Sequence, residues 1–401
     1  GFFRRVEGAD KFGNLRGERV ACGNLRHHVF ERWDGLFDSG DALGEIRRVR
    51  GRDAERGRLA QRRRYALLFH LGVAGGVRVA IISENRPEWV IADLAIQTIG
   101  AISVPIHSVF QDRYITHIAS DAGVKMLFAS DSHLFEKLSA IHAKFPVERI
   151  IYFSRNKILG IDERRYLHIK DLLKSGAGVS TQSSLSSEEE SSEIATIVYT
   201  SGTTGLPKGV VLTHRNILSN VQAIARAIPV GPNDRFLSFL PLSHILERTA
   251  GYYTPLSEGA SIYYAENYQN LGDDLKAVRP TILIGVPRVF EKAYEKIQGN
   301  RAFALMQKIV GGKILAGRAI RRRFGGKMRF CVSGGAALDP KVGEFFHAYG
   351  LPILEGYGLT ETSPVVTFNP ARKPKIGSVG LPLPGVEIKI NSPNREKCGE
   401  I

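Results

Sequence analysis

The sequence predicts an α/β protein, with two parallel-rich sheets flanked by helices and then the start of a β-rich subdomain. Three observations carry this. From Val77 onward, short β-branched runs alternate with helical stretches of about 10–15 residues, the pattern of βαβ units. A polar segment at 180–193 (STQSSLSSEEESSE) interrupts the rhythm, which restarts beyond it. After Gly377 the chain changes to short apolar pieces between Gly and Pro turns.

Each element follows from its residues. Val77–Ser83 (VRVAIIS) is a short apolar run rich in β-branched residues and reads as a buried strand. Pro87 opens an apolar-periodic segment to Ile99, where a helix tolerates proline because a first-turn N–H is unpaired anyway. A strand at Ala101–His107, a helix at Asp112–Ala122, a strand at Lys125–Ala129, a helix at Ser132–Lys144 and a strand at Arg149–Phe153 follow. Beyond the polar segment come strands at Ile194–Tyr199 and Val210–Leu212, then a helix from Arg215 to Ile228. Further strands are expected at Phe236–Leu240, Ser261–Tyr264, Thr281–Gly285, Met328–Val332 and Pro352–Leu354. Helices are expected at Asp273–Val278, Val289–Gln298, Ala302–Arg322 and Pro340–Ala348, and Val386–Ile390 is expected as a strand of an antiparallel piece. These boundaries divide the chain into an irregular arginine-rich region (1–76), a first α/β subdomain (77–179), a linker (180–193), a second α/β subdomain (194–375) and the start of a β-rich subdomain (376–401).

With 401 residues, 43% of them hydrophobic, the chain can bury a large core. Cys22, Cys331 and Cys398 form no CxxC or Cys/His cluster, which argues against a disulfide framework or structural zinc and fits a reducing, cytoplasmic compartment. No apolar run reaches the ~20 residues needed to span a bilayer. The formal charge of +15 invites a nucleic-acid or membrane reading, but residues 1–76 alone hold fifteen arginines and one lysine. Arg47–Arg64 lacks the interleaved aromatics that stack on bases, so no specific nucleic acid is expected. The charge is either incidental or aids peripheral contact with the anionic inner face of a membrane. A second basic run, Arg318–Arg323, reads most simply as the solvated end of a helix.

The strongest chemical signal is Tyr199-Thr-Ser-Gly-Thr-Thr-Gly-Leu-Pro-Lys-Gly209, between two expected strands. Glycines permit close approach of backbone N–H groups to phosphate oxygens, hydroxyls donate hydrogen bonds, and Lys208 supplies charge. The order GxxxxGK[ST] is absent, so this is not a Walker A loop. Taken singly, Tyr357 reads as a core aromatic, Glu361 as a surface carboxylate and Thr360 as a helix cap. Their packing into Glu355-Gly-Tyr-Gly-Leu-Thr-Glu-Thr362, downstream of the Gly/Thr-rich loop, favours a joint functional role.

The loop resembles the phosphate loop of the adenylate-forming superfamily: acyl-CoA synthetases, peptide-synthetase adenylation domains and beetle luciferases. Phe239-Leu-Pro-Leu-Ser-His-Ile245, Val332-Ser-Gly-Gly-Ala-Ala337 and the 355–362 motif resemble its companion motifs in the family's order, and the resemblance runs from about residue 77 to the end. It implies the N-terminal domain of such an enzyme. By resemblance, Thr200, Ser201, Gly202, Thr203, Thr204, Gly205 and Lys208 hold the β- and γ-phosphates of ATP, and Gly334, Gly335 and Ala336 line the adenine and acyl sites. Glu355, Gly356, Tyr357 and Gly358 form the adenine motif, with Tyr357 stacked on the base. Thr360 bonds the α-phosphate, Glu361 with Thr204 holds Mg²⁺, and His244 sits at the mouth of the acyl pocket. Lys208, His244, Thr360 and Glu361 are the implied catalytic set. The wordings Leu242–Thr249, Val286–Lys296 and Tyr357–Pro364 resemble long-chain acyl-CoA synthetases, implying a long-chain fatty acid, ATP and CoA as substrates. A ligase that passes its acyl group to a carrier protein, a non-catalytic nucleotide- or lipid-binding module, and a basic nucleic-acid scaffold are the alternatives.

Two departures stand out. The family continues with a YxTGD segment and a small C-terminal domain bearing an adenylation lysine; neither is present, so the chain reads as a fragment expected to bind ATP weakly and catalyse poorly. Residues 13–76 lack the family's orderly helices and strands. They read either as coding sequence in a shifted frame or as a divergent N-terminal region.

Overall fold

The computed structural model describes residues 73–130, 147–153, 162, 164–175, 193–200, 205–265, 268–392 and 398–401. The expected helix Ser132–Lys144, the region before residue 73, the segment 180–192 and residues Ser201–Thr204 lie outside the described residues.

Two seven-stranded sheets form the frame. The first contains β1 (Arg78–Ile82), β2 (Ile102–Ile106), β3 (Met126–Ala129), β4 (Arg149–Tyr152), β5 (Tyr166–His168), β6 (Ile194–Thr200) and β7 (Lys208–Thr213), in the order β5-β4-β3-β1-β2-β6-β7. All its pairings are parallel except β6 with β7, which form an antiparallel hairpin. The helices α1 (Pro87–Thr98), α2 (Asp112–Asp121) and α3 (Ile169–Ser175) belong to this part of the chain. The alternation of side chains along a strand divides the core in two. Val79 and Ile81 pack with Trp89 and Ile96 of α1, whereas Ala80 and Ile82 pack with Ile115 and Ile118 of α2.

The second sheet contains β8 (Arg235–Ser238), β9 (Ser261–Tyr264), β10 (Ile282–Gly285), β11 (Phe330–Ser333), β12 (Ile353–Gly358), β13 (Val365–Phe368) and β14 (Leu381–Pro382). Their order is β14-β13-β12-β11-β10-β8-β9, with β12, β13 and β14 antiparallel and the rest parallel. The accompanying helices are α4 (His214–Ala227), α5 (Thr254–Ser257), α6 (Leu271–Val278), α7 (Pro287–Gln298), α8 (Arg301–Met306), α9 (Gly312–Arg323) and α10 (Pro340–Ala348). Leu283, Cys331 and Ile353 pack against Phe290, Ile320 and Phe346 from α7, α9 and α10. Ile284, Val332 and Leu354 pack against Ile224 of α4 on the other face. Among the described residues no helix is long and apolar enough to cross a membrane.

Several expectations are corrected. The hairpin β6–β7 completes the first sheet, so that sheet extends across 180–193 and the division between sheets falls after Thr213. The single helix expected over Ala302–Arg322 is two, broken where Gly311 takes a left-handed φ of 74° that side chains disfavour. Val386–Ile390 forms no strand; the antiparallel extension is built from β13 and β14 instead and begins earlier, at Val365. Glu247–Tyr253 is a π-helix running into α5, which the sequence pattern did not announce.

Candidate functional site

The Gly/Thr-rich loop is closed at its base by the hairpin register, with Thr200 opposite Lys208 and Tyr199 opposite Gly209. Helix α2 buttresses this base. The Tyr199 hydroxyl donates to Asp121 Oδ2 at 2.6 Å, and His117 Nε2 lies 3.1 Å from the Pro207 carbonyl. Burial, then the bonded carboxylate, push the Tyr199 pKa far up, so its hydroxyl keeps its proton and its bond. Lys208 and Gly205 are exposed. Leaving the hairpin, α4 starts at a reciprocal cap: Thr213 Oγ1 accepts from Asn216 N at 3.2 Å, and Asn216 Oδ1 accepts from Thr213 N at 2.9 Å.

The 355–362 motif runs down β12 into a short 3₁₀ turn, Thr360–Thr362, that lies against β7. The turn is therefore adjacent to the strand that Lys208 opens. Gly358 is dictated by this path: a Cβ there would stand 1.7 Å from the Pro364 carbonyl oxygen. Thr362 Oγ1 accepts from Leu359 N at 2.9 Å and fixes the turn. Glu361 is exposed, Thr360 and Tyr357 are half-buried, and no ion pair holds Glu361 among the described residues. From α4, Asn220 clamps the returning strand, donating to Val365 O at 2.7 Å and accepting from Val365 N at 3.1 Å.

The turn after β11 meets the same place. Gly334 N donates to Gly285 O at 3.1 Å, and a Cβ on Gly334 would touch Leu246, with Gly356 O just beyond. Gly335 and Ala336 are exposed on this turn. The Glu355 side chain is bonded within the protein. Its carboxylate is buried and accepts from Leu338 N at 3.3 Å and from the backbone of Gly377, binding two chain segments together. Burial raises its pKa and these two bonds oppose the rise.

His244 follows β8 in the segment that leads into the π-helix. Asn85, just after β1, holds that segment: its side chain donates to Leu240 O at 2.6 Å and to Ser238 Oγ at 2.9 Å, and accepts from Leu242 N. His107, immediately after β2, is close enough to His244 to feel its charge. Loss of solvation holds both imidazoles below the ordinary value, and His244 adds to the depression at His107. His244 nonetheless keeps an exposed edge. His107 and Asn85 were not singled out in the sequence, although each stands just beyond the C-terminal end of a parallel strand, where such sheets bind ligands.

Behind His244 the π-helix buries two charged residues. Glu247 is 1% exposed, bonded by Ser238, and pushed up to about 8 by burial, with its Oε2 unpartnered. Arg248 is fully buried; it donates to Thr196 Oγ1 of β6 at 2.7 Å and pairs with Asp93 of α1. Tyr253 also donates to Asp93, at 2.6 Å. Of the expected site residues, the structure brings the Thr360–Thr362 turn against the strand that Lys208 opens, and the Gly334 turn against Leu246 and the Gly356 carbonyl.

Comparison with known proteins identifies the family and the fold. Residues 57–401 match the model of the family described as AMP-binding enzyme, so the match begins ahead of Val77 and takes in part of the arginine-rich region. The chain is 33% identical over 359 residues to a long-chain-fatty-acid–CoA ligase of Mycobacterium bovis, covering 80% of this chain and 58% of that protein. It is 34% identical over 361 residues to a peroxisomal long chain acyl-CoA synthetase of Arabidopsis thaliana, covering 81% of this chain and 50% of that protein. It therefore spans little more than half the length of these relatives. A crystal structure of a long-chain-fatty-acid-CoA ligase from Archaeoglobus fulgidus superposes with a TM-score of 0.70 at 17% identity, covering 94% of this chain and 72% of that one, and shares the fold.

Proposed function

The chain belongs to the AMP-binding enzyme family, and from that premise we propose that it is the nucleotide- and acyl-binding part of a long-chain fatty acid–CoA ligase. The observation that carries the reading is the meeting of the Lys208 strand with the Thr360–Thr362 turn, beside the Gly334 turn and the His244 segment. A carboxylate attacking the α-phosphorus of ATP brings two anions together. The site must position both and offset charge that develops as pyrophosphate leaves. Lys208 and the hydroxyls of Thr200, Ser201, Thr203 and Thr204, with Gly202 and Gly205 allowing backbone approach, are the groups we assign to the β- and γ-phosphates. Thr360 is assigned to the α-phosphate, Tyr357 between Gly356 and Gly358 to the face of adenine, and His244 to the mouth of the acyl pocket.

Glu361 and Thr204 are the donors we assign to Mg²⁺. Such an ion takes one or two carboxylates and otherwise phosphate and water oxygens, so a single exposed glutamate fits it without a larger protein cage. Among the described residues no cluster of three or more His, Cys, Asp or Glu offers another site. When bound, the ion supplies neutralisation of phosphate charge.

The fatty acid and CoA as substrates rest on the names of the relatives and on the 242–249, 286–296 and 357–364 wordings. The test is product analysis with the longest protein that contains this chain, given MgATP and palmitate. Palmitoyl-CoA formed only when CoA is present supports the reading. Acyl-AMP that accumulates with CoA and is discharged only by an acyl-carrier protein would replace CoA with a carrier as acceptor.

A further inference from the structure

Thirteen large apolar side chains stand exposed among the described residues, and five of them fall within eleven consecutive positions: Leu305, Ile309, Val310, Ile314 and Leu315. They occupy the end of α8, the turn after it and the first turn of α9. Val310 at the tip is fully exposed and Leu305 and Ile314 are about two-thirds exposed, at 68% and 65%. The fold does not require them. The inward face of this helical hairpin is already served by Phe303, Ala316 and Ile320, which enter the core. Burying even one such aliphatic side chain is worth about 1.5–3 kcal/mol, so a cluster of five is a costly surface unless something covers it.

The charge around the cluster names the cover. From Lys296 to Leu338 the sequence carries ten Lys and Arg and no Asp or Glu. Arg321 and Arg329 are tied to the fold, the first to the carbonyls of Gly350 and Met328 and the second to Asp234. Lys308, Lys313, Arg318 and Arg322 are exposed, and Ile314, Arg318 and Arg322 follow one another at four-residue spacing along one face of α9. A cavity of about 810 Å³ opens beside this face, lined by Lys276, Arg279, Arg318, Arg321, Arg322 and Leu315. Aliphatic side chains at a protruding tip, backed by arginines one and two turns behind, match the layering of a bilayer surface: acyl chains outermost, phosphates next. Nucleic acid would call for aromatic platforms that this tip lacks.

We propose that the α8–α9 hairpin is a docking surface for an anionic phospholipid bilayer, with residues 305–315 entering the headgroup–acyl boundary and the arginines of α9 holding lipid phosphates. The surface is separate from the nucleotide cleft, and its test reads no ATP chemistry.

The experiment is flotation of the protein with phosphatidylcholine vesicles, with and without a share of phosphatidylglycerol. It compares the unaltered chain, V310D/I314D and R318E/R322E, after circular dichroism shows each variant folded. All four positions are exposed, so folding should survive. The expected result is binding to the phosphatidylglycerol vesicles that weakens with salt, and a loss of about tenfold or more in each variant, as two surface cations or two buried aliphatics imply. Absence of binding, or equal binding to neutral vesicles, overturns the proposal. Binding that both variants retain overturns it too and moves the contact to arginines elsewhere, such as those of residues 1–76. A self-association in sedimentation that V310D/I314D abolishes, without vesicle binding, gives the patch to a second copy instead.

Discussion

Glu361 and Glu355 stand six residues apart in one motif, yet their surroundings differ. Glu361 is exposed on the turn beside β7, whereas the Glu355 carboxylate is turned into the protein and joins Leu338 to Gly377. Replacing Glu361 with Ala is expected to lower the rate of acyl-AMP formation by about 10² or more, since a lost charge-stabilising group commonly costs that much. Melting should be unchanged. Glu355→Ala should instead lower stability by about 1–3 kcal/mol, because two buried backbone donors lose their acceptor. Thermal unfolding and pyrophosphate release measured on both variants check this, and reversed effects would contradict the assignment. Residue types carried the motif in the sequence; they could not tell which glutamate faces inward, because that depends on where Leu338 and Gly377 arrive. Glu247 gives a pH prediction of the same kind. Its folded pKa of about 8 lies above the ordinary ~4.3 of an unfolded glutamate, so the folded state holds the proton more tightly. Its contribution is then complete below about pH 4 and is lost as pH rises to about 8. Glu247→Gln keeps the neutral shape and removes this loss. The variant's unfolding free energy should gain on the unaltered protein by on the order of 3 kcal/mol between pH 5 and pH 8.5 in urea titrations. Parallel pH profiles would show that Glu247 is ionised in the folded protein.

At the scale of elements, periodicity located most strands and helices to within a residue or two, since each buries its face in an ordinary way. Val79 and Ile81 against Trp89, and Val342 and Phe346 against the second sheet, are the pattern that alternation and 3.6-residue spacing describe. The misses have particular causes. The π-helix at Glu247–Tyr253 widens the turn around two buried charges, which an apolar pattern reports only as a break. The strand β13 (VVTF) carries the β-branched and aromatic residues of a strand and was passed over in the sequence; in the fold the Asn220 side chain holds its first residue. Asn220→Leu should therefore cost about 2–3 kcal/mol, because it leaves the N–H and C=O of Val365 buried without partners. Equilibrium unfolding measures the loss. A change within about 0.5 kcal/mol would mean that the strand is held by its ladder alone.

At the scale of the molecule, the two seven-stranded sheets are tied where Arg248 of the π-helix reaches Asp93 of α1 and Thr196 of β6. This tie links the π-helix that follows His244 to β6, the strand that leads into the Gly/Thr-rich loop. Arg248→Met should destabilise the protein by about 3–5 kcal/mol by leaving Asp93 buried and uncompensated. Adding Asp93→Asn should recover part of that loss in a double-mutant comparison; a double variant no more stable than the single would contradict the pairing. The sequence announced two α/β units from their rhythm, but not that β6 and β7 cross the polar segment to join the first sheet, since strand order is a property of pairing. The proposed chemistry at this site is the joining of a fatty carboxylate to AMP. The most direct measurement is exchange of labelled pyrophosphate into ATP by the longest protein containing this chain, with palmitate present or absent and with Glu361→Ala beside it. Exchange should require palmitate and fall by about 10² or more in the variant. Exchange without any carboxylate, or palmitate-dependent exchange that Glu361→Ala leaves intact, would contradict it.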